Sequence, residues 1–242
     1  MKRFWMRALL CFALCAALLT GCALSPSSQP AESPTDPLTG QELVWPGQRP
    51  VAITIDNAAA STTQWGLSTA SLVLEALTAQ QQATRLCLVY PAVGAVPQVG
   101  PVSAGQDLYW RLLVGQQVLP VQRGGGQFDQ NYLDYYSLRA VDALEVGTNA
   151  FSCETNWQNV PLWHTSGAAL SGVLGSLNIS PALTESRVTD TSSSGSDSES
   201  GTLLSVPNLL PMQESGKLPD ADASDAMSVL VQFDAQNATG FS

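Results

Sequence analysis

Apolar positions along this chain keep two rhythms. The first is a set of short, nearly continuous aliphatic runs: "VAITI" at 51–55, "ATRLCLVYP" at 83–91 and "QVLPVQRGGG" at 117–126. Runs of this length, rich in Val, Ile and Thr and closed by Pro91 or a glycine cluster, predict strands. The second rhythm repeats at three and four. In "GLSTASLVLEAL", 66–77, Leu72, Val73, Ala76 and Leu77 share one helical face, and Ser68 is placed to cap it, so a helix is expected there. "GQDLYWRLLVGQ" at 105–116 and "SGAALSGVLGSLNIS" at 166–180 also read as helices. "QFDQNYLDYYSL" reads as a short helix or turn, and "AVDALEVG" at 140–147 as a fourth strand. "DPLTGQEL", with Pro37 and Gly40, is a turn signal that opens this region.

Strands alternating with helices predict an α/β fold, layered, with a mostly parallel sheet and flanking helices, over residues 37–184. Beyond it the pattern dissolves. "TSSSGSDSESGT" is polar and low in complexity, and from Glu185 onward nine acids meet two bases. Residues 185–224 are therefore expected to form an acidic flexible linker. "MSVLVQFDA" is strand-like but has no evident later partner, so 225–242 is expected to open a small, truncated β-rich second domain, the alternative being an added edge strand of the first sheet.

The first residues change the picture of where the protein resides. "MKRFWMR" is basic, "ALLCFALCAALL" is apolar but short for a bilayer span, and "LTGC" follows. A leucine, two small residues and Cys22 at this spacing resemble the bacterial lipobox. The resemblance implies a signal peptide over 1–21, cleavage before Cys22 and acylation of its thiol; the alternative is an ordinary signal peptide with an incidental cysteine. Two or three acyl chains, at about 0.8 kcal/mol per buried methylene, would hold the protein on a lipid bilayer. The Ser- and Pro-rich stretch 22–36 then reads as a tether. The expected location is the extracytoplasmic face of the bacterial cell membrane.

Charge narrows the partners. The chain has 242 residues, 45% of them hydrophobic and only 12% charged, about half the usual charged share. Without Lys2, Arg3 and Arg7, seven bases face twenty acids, a net charge of −13. Such a surface repels phosphate backbones, so no nucleic acid partner is expected. With Cys11 and Cys15 in the leader and Cys22 as anchor, Cys87 and Cys153 remain. A disulfide between them is permitted outside the cytoplasm, but Cys87 lies in an apolar run where a buried thiol is the commoner outcome. Two distant cysteines and one histidine, His164, make no ligand spacing, so neither a metal nor another cofactor is expected.

Candidate chemistry gathers where strands end, since α/β folds collect ligands at the carboxyl ends of strands. Asp56 and Asn57 follow "ITI"; Glu75, Arg85, Gly124 and Gly125 complete the set. Asp56 or Glu75 could serve as a general base or accept hydrogen bonds from a sugar. Arg85 could hold a carboxylate or phosphate, and the glycines could admit a ligand to backbone N–H groups. Each has a structural alternative: Asp56 capping its own turn, a Glu75–Arg85 ion pair, a tight glycine turn. His164 shows no evident acid partner, so no Ser-His-Asp triad is legible, and "RGGGQF" lacks the Lys-Ser/Thr ending of a phosphate loop.

"DPLTG", "RPVAITIDN", "QWGLSTASLVLEAL", "ATRLCLVY" and "VGPVSAG" resemble the motifs of the YerB-like bacterial lipoproteins, a family of unknown function, across about residues 36–165. Asp56, Asn57, Glu75 and Arg85 stand where the family has the same residues. Other positions depart. Ser103 and Gln106 replace the arginines of G-P-V-R-S-A-R, Gln122 replaces the histidine before the glycines, and Cys153 and Leu162 stand at a later arginine and histidine. The acidic half of any family site survives while much of its basic half is lost. Two function classes follow. One is an anchored lipoprotein that binds an envelope glycan, peptide or partner protein. The other is a hydrolase or transferase acting on cell-wall or glycan material through Asp56 and Glu75, degenerate in this chain.

Overall fold

A computed structural model describes residues 34–58, 63–77, 84–184, 209, 229–232 and 238–241. The expected leader, the tether up to residue 33 and nearly all of the acidic linker fall outside the described residues. The centre of the fold is a five-stranded sheet in the order β2-β3-β1-β4-β5. Its strands are β1 (Val51–Asp56), β2 (Leu72–Leu77), β3 (Thr84–Tyr90), β4 (Leu119–Gln122) and β5 (Val141–Asp142). β1 pairs with β4, and β4 with β5, in parallel. β3 lies antiparallel to both β1 and β2. Four of the five strands thus run one way and β3 alone runs the other. The α/β class stands, with a mixed rather than a uniformly parallel sheet.

Both faces of the sheet are covered, which is why β1 and β3 read as continuous apolar runs instead of alternating ones. On one face Val51, Ile53, Ile55, Leu86 and Leu88 pack with Leu170, Val173 and Leu174 of helix α4 (Gly167–Leu174). On the other, Ala52, Cys87 and Val89 pack under Tyr109, Trp110 and Leu113 of α1 (Asp107–Leu113) and Tyr132 and Leu133 of α2 (Gln127–Tyr135). Ser166 caps α4 by accepting the Ala169 N–H at 3.3 Å.

The helix expected over 66–77 is not there. A short 3-10 turn at Leu67–Thr69 leads into β2. Leu72, Leu74 and Ala76 pack against one core and Val73 against the other, a strand alternation hidden inside a helix-compatible spacing. Six register partners on β3 outweigh the helix preference of Leu, Glu and Ala. The expected fourth strand shrinks to two residues because Asp142 starts helix α3 (Ala143–Val146), its Oδ1 accepting the Leu144 N–H at 2.8 Å.

After β5 come a separate ribbon, β6 (Ser152–Thr155) with β7 (Pro161–His164), and then α4. The C-terminal strand does find a partner within the chain. β8 (Val229–Gln232) pairs antiparallel with β9 (Ala238–Phe241) as a two-stranded sheet of its own, not as an addition to the first.

Candidate functional site

The carboxyl ends of β1, β4 and β5 lie along one edge of the sheet, and the segment 100–105 is stitched across those of β1 and β4. Asp56 N–H donates to Pro101 O at 2.9 Å, and Ser103 N–H donates to Thr54 O at 2.9 Å. Arg123 N–H donates to Ser103 O, and Gly105 N–H to Gly124 O, both at 2.8 Å. "GPVSAG" therefore works as a backbone clasp that holds the ends of β1 and β4 in register. The peptide bond Gly100–Pro101 within it is cis.

The predicted site residues all reach this edge, but register divides them between the two faces. Asp56 is directly opposite Arg85, and Arg85 opposite Ala76, so these three project toward the α1–α2 side. Glu75 is opposite Leu86 in the adjacent row and projects toward the α4 side. Asn57 and Thr84 lie two positions along that same row. Their contacts agree: Asn57 Nδ2 donates to Glu75 Oε1 at 3.2 Å and to Thr84 Oγ1 at 2.7 Å. Gln64 Nε2 closes the cluster on Asn57 Oδ1 at 2.9 Å and Asp56 O at 3.1 Å. The ion pair between Glu75 and Arg85 considered from sequence is ruled out as a facing pair, because their strands turn them to opposite sides. Asp56 Oδ1 accepts the Ala58 N–H at 3.2 Å, the turn-capping role open to any aspartate at a strand end.

Asn57 is thus the hinge of a polar cluster that ties β1, β2 and β3 together. Asn57→Ala is expected to cost about 1–2 kcal/mol, the usual penalty when part-buried partners lose a donor. Urea unfolding of the variant beside the parent measures it.

Gly124 and Gly125 serve a packing role that sequence reading left open. Gly124 has φ +68°, the left-handed region that glycine enters without strain, and its N–H donates to Asp142 Oδ1 at 2.8 Å. A Cβ on Gly125 would lie 1.8 Å from Asp129 Oδ2. Asp129, in the first turn of α2 and only 2% exposed, is the residue that the sequence did not flag. Its Oδ1 accepts the Trp110 indole N–H at 2.5 Å, and its Oδ2 accepts from Gln122 Nε2 at 3.0 Å. The same Gln122 nitrogen reaches Asp142 Oδ2 at 3.3 Å. One neutral amide thus joins two carboxylates at the ends of β4 and β5. A signal was present in retrospect: an acid three residues past a glycine run that opens a helix.

Burial pushes the Asp129 carboxyl above its ordinary value; the Trp110 and Gln122 hydrogen bonds pull it back, and Asp107 and Asp142 add to the rise. Between the ordinary aspartate value and this raised one, the native chain holds a proton that the unfolded chain has released. Stability contributed by this group is therefore greatest below that window and is lost as pH rises through it. Asp129→Asn should remove this falling limb from a plot of unfolding free energy against pH, measured by urea titration across the acidic range.

On the α4 side, Arg123 stacks over the Trp163 ring at 5.2 Å from its centroid. His164 does have an acid neighbour: its Nε2 lies 3.3 Å from Glu154 Oε1 across the ribbon, and its ring lies 5.2 Å from that of Trp65. Sequence spacing concealed the pair because it forms diagonally across β6 and β7. Cys87 is a buried free thiol, which burial makes reluctant to ionise, and Cys153 is an exposed free thiol; they do not pair. Among the described residues no group of three or more His, Cys, Asp or Glu could hold a metal ion, and no helix is long and apolar enough to cross a membrane.

Comparison with known proteins gives two findings. A family model described as "Protein of unknown function (DUF3048) N-terminal domain" matches residues 38–175. The fold is similar to the crystal structure of YerB protein from Bacillus subtilis, with a TM-score of 0.53 and 23% identity. That match covers 62% of this chain and 51% of the YerB chain, so the chain spans about half the length of that structure. Among curated proteins no match is found.

Proposed function

This chain belongs to the DUF3048 family, whose function is unknown, and on that footing we propose that it is a non-catalytic, membrane-anchored lipoprotein that binds a cell-envelope component or partner protein. It sits on the extracytoplasmic face of the membrane through acylated Cys22, with 22–36 as its tether. The anchor reading rests on the basic start, the short apolar run and "LTGC".

The observation that carries the binding reading is register: Asp56 and Glu75 stand in adjacent rows of the sheet, whose side chains alternate between its two faces. Acid–base cleavage of a glycosidic bond needs two carboxyl groups flanking one bond, about 5–10 Å apart across open space. Here one projects toward α1 and α2 and the other toward α4, where Glu75 accepts from Asn57. The hydrolase or transferase reading therefore lacks its facing pair. The losses at Ser103, Gln106 and Gln122 point the same way, since they leave fewer positive and titratable side chains beside Arg85 to orient an anionic substrate.

Two arms test the proposal. Cells fed a labelled fatty acid should yield labelled parent protein in the membrane fraction, and Cys22→Ser should remain unlabelled and unprocessed. The parent, gently extracted from membranes, should bring down an envelope glycan, peptide or protein. A labelled Cys22→Ser form contradicts the anchor; an extracted parent that brings nothing down contradicts the binding role.

A further inference from the structure

A polar cavity lies away from the strand ends. It is an open depression bordered by the 3-10 turn Gly147–Asn149, the start of β6, the end of β7 and the N-terminus of α4, with a volume of about 240 Å³. At about 30 Å³ per water that is space for roughly eight waters, small for a drug-sized ligand and suited to one sugar ring. Its wall carries Gln98, Thr148, Asn149, Ser152, His164 and Ser166. The side chains of Gln98, Thr148, Asn149 and Ser152 are exposed to solvent and make no hydrogen bond to another described residue, so two carboxamides and two hydroxyls on this wall can exchange water for a ligand. Ala150, Phe151 and Ala169 supply the apolar part of the lining.

We propose that this cavity binds one uncharged, amide-bearing sugar unit, an N-acetylated hexosamine of an envelope glycan. No carboxylate, guanidinium or ammonium lines it, and its one ionisable side chain, His164, lies 3.3 Å from Glu154, which leaves little positive charge for an anionic ligand. The chain's own net charge of −10 further disfavours anionic sugars. Carboxamides both donate and accept, as do hydroxyls, and together they match a ring that carries hydroxyls and an acetamide. His164, whose ring lies 5.2 Å from that of Trp65, gives the cavity an aromatic side. The inference deepens the envelope-binding reading and rests on it.

The test uses the full mature chain. N-acetylglucosamine and its short β-linked oligomers are titrated by calorimetry, with glucose and glucose 6-phosphate as comparison ligands. Saturable binding of the N-acetylated sugars is expected, and weaker or no binding of the other two. Gln98→Ala and Asn149→Ala, both at exposed positions, should each weaken binding about tenfold, the loss expected for one or two ligand hydrogen bonds, with an unchanged melting temperature. Binding that survives both substitutions would overturn the cavity assignment while leaving the envelope-binding reading intact. Preference for the phosphorylated sugar would overturn the uncharged ligand class. Absence of saturable sugar binding, in a preparation that still brings down an envelope partner, would overturn this inference alone.

Discussion

Asp129→Ala is expected to destabilise the protein by about 3–5 kcal/mol, among the largest effects of any single substitution in this chain. The reason lies in what it leaves behind. Trp110 is fully buried and Gln122 is 1% exposed, and both donate to this carboxyl. Removing it orphans the Trp110 indole and leaves the Gln122 amide only its 3.3 Å contact with Asp142, each loss costing about 1–3 kcal/mol. It also empties volume between α1, α2 and the end of β4. Asp129→Asn should cost about half as much. It keeps an acceptor for the indole, and its amide can meet Gln122 Oε1, which is buried without a hydrogen-bond partner, once the Gln122 amide turns over. Urea unfolding of the two variants beside the parent, at one neutral pH, gives the ordering. Asparagine fills the same space as aspartate, so equal losses for alanine and asparagine would mean that its amide restores neither hydrogen bond.

Gly105→Ala should cost about 3 kcal/mol, at the upper end of overpacking penalties. A Cβ there would lie 2.0 Å from Gln122 Oε1, 2.7 Å from Gln122 Cδ and 2.5 Å from Asp129 Oδ1. These atoms cannot swing away freely, because the same network holds them. The clasp would have to move too, since Gly105 N–H donates to Gly124 O. Shortening Gln122 to alanine in the Gly105→Ala background should recover part of the loss. The double variant is expected to be less destabilised than the sum of its singles, the signature of residues in direct contact. Strict additivity would contradict the close approach.

These two substitutions probe residues that sequence reading passed over, and the reason is physical. β1 and β3 were legible because a strand buried on both faces must be apolar at every position. β2 was not, since "LVLEAL" satisfies helical spacing and strand alternation alike, and only the free edge of β3 decides between them. Asp56 was legible as the acid at a strand end, but its facing partner Arg85 and its separation from Glu75 come from register, which no local pattern encodes. Asp129 looked like an ordinary first-turn acid on a polar helix. Its burial depends on Trp110 and Gln122, which lie 19 and 7 positions away. Gln122 stood out only as a departure from the family pattern, and the fold gives it a function: a neutral amide donating to two aspartates. His164 and Glu154, and likewise β8 and β9, meet through pairings that a linear reading did not register.

The central claim is that Asp56 and Glu75 hold structure and take no part in bond cleavage. Incubating the mature chain, beside its Asp56→Ala and Glu75→Ala forms, with muropeptides and envelope glycans and weighing every species by mass spectrometry tests it most directly. The account predicts retained ligand with unaltered mass in all three samples. A cleaved or transferred product made by the parent and missing from either variant would contradict it.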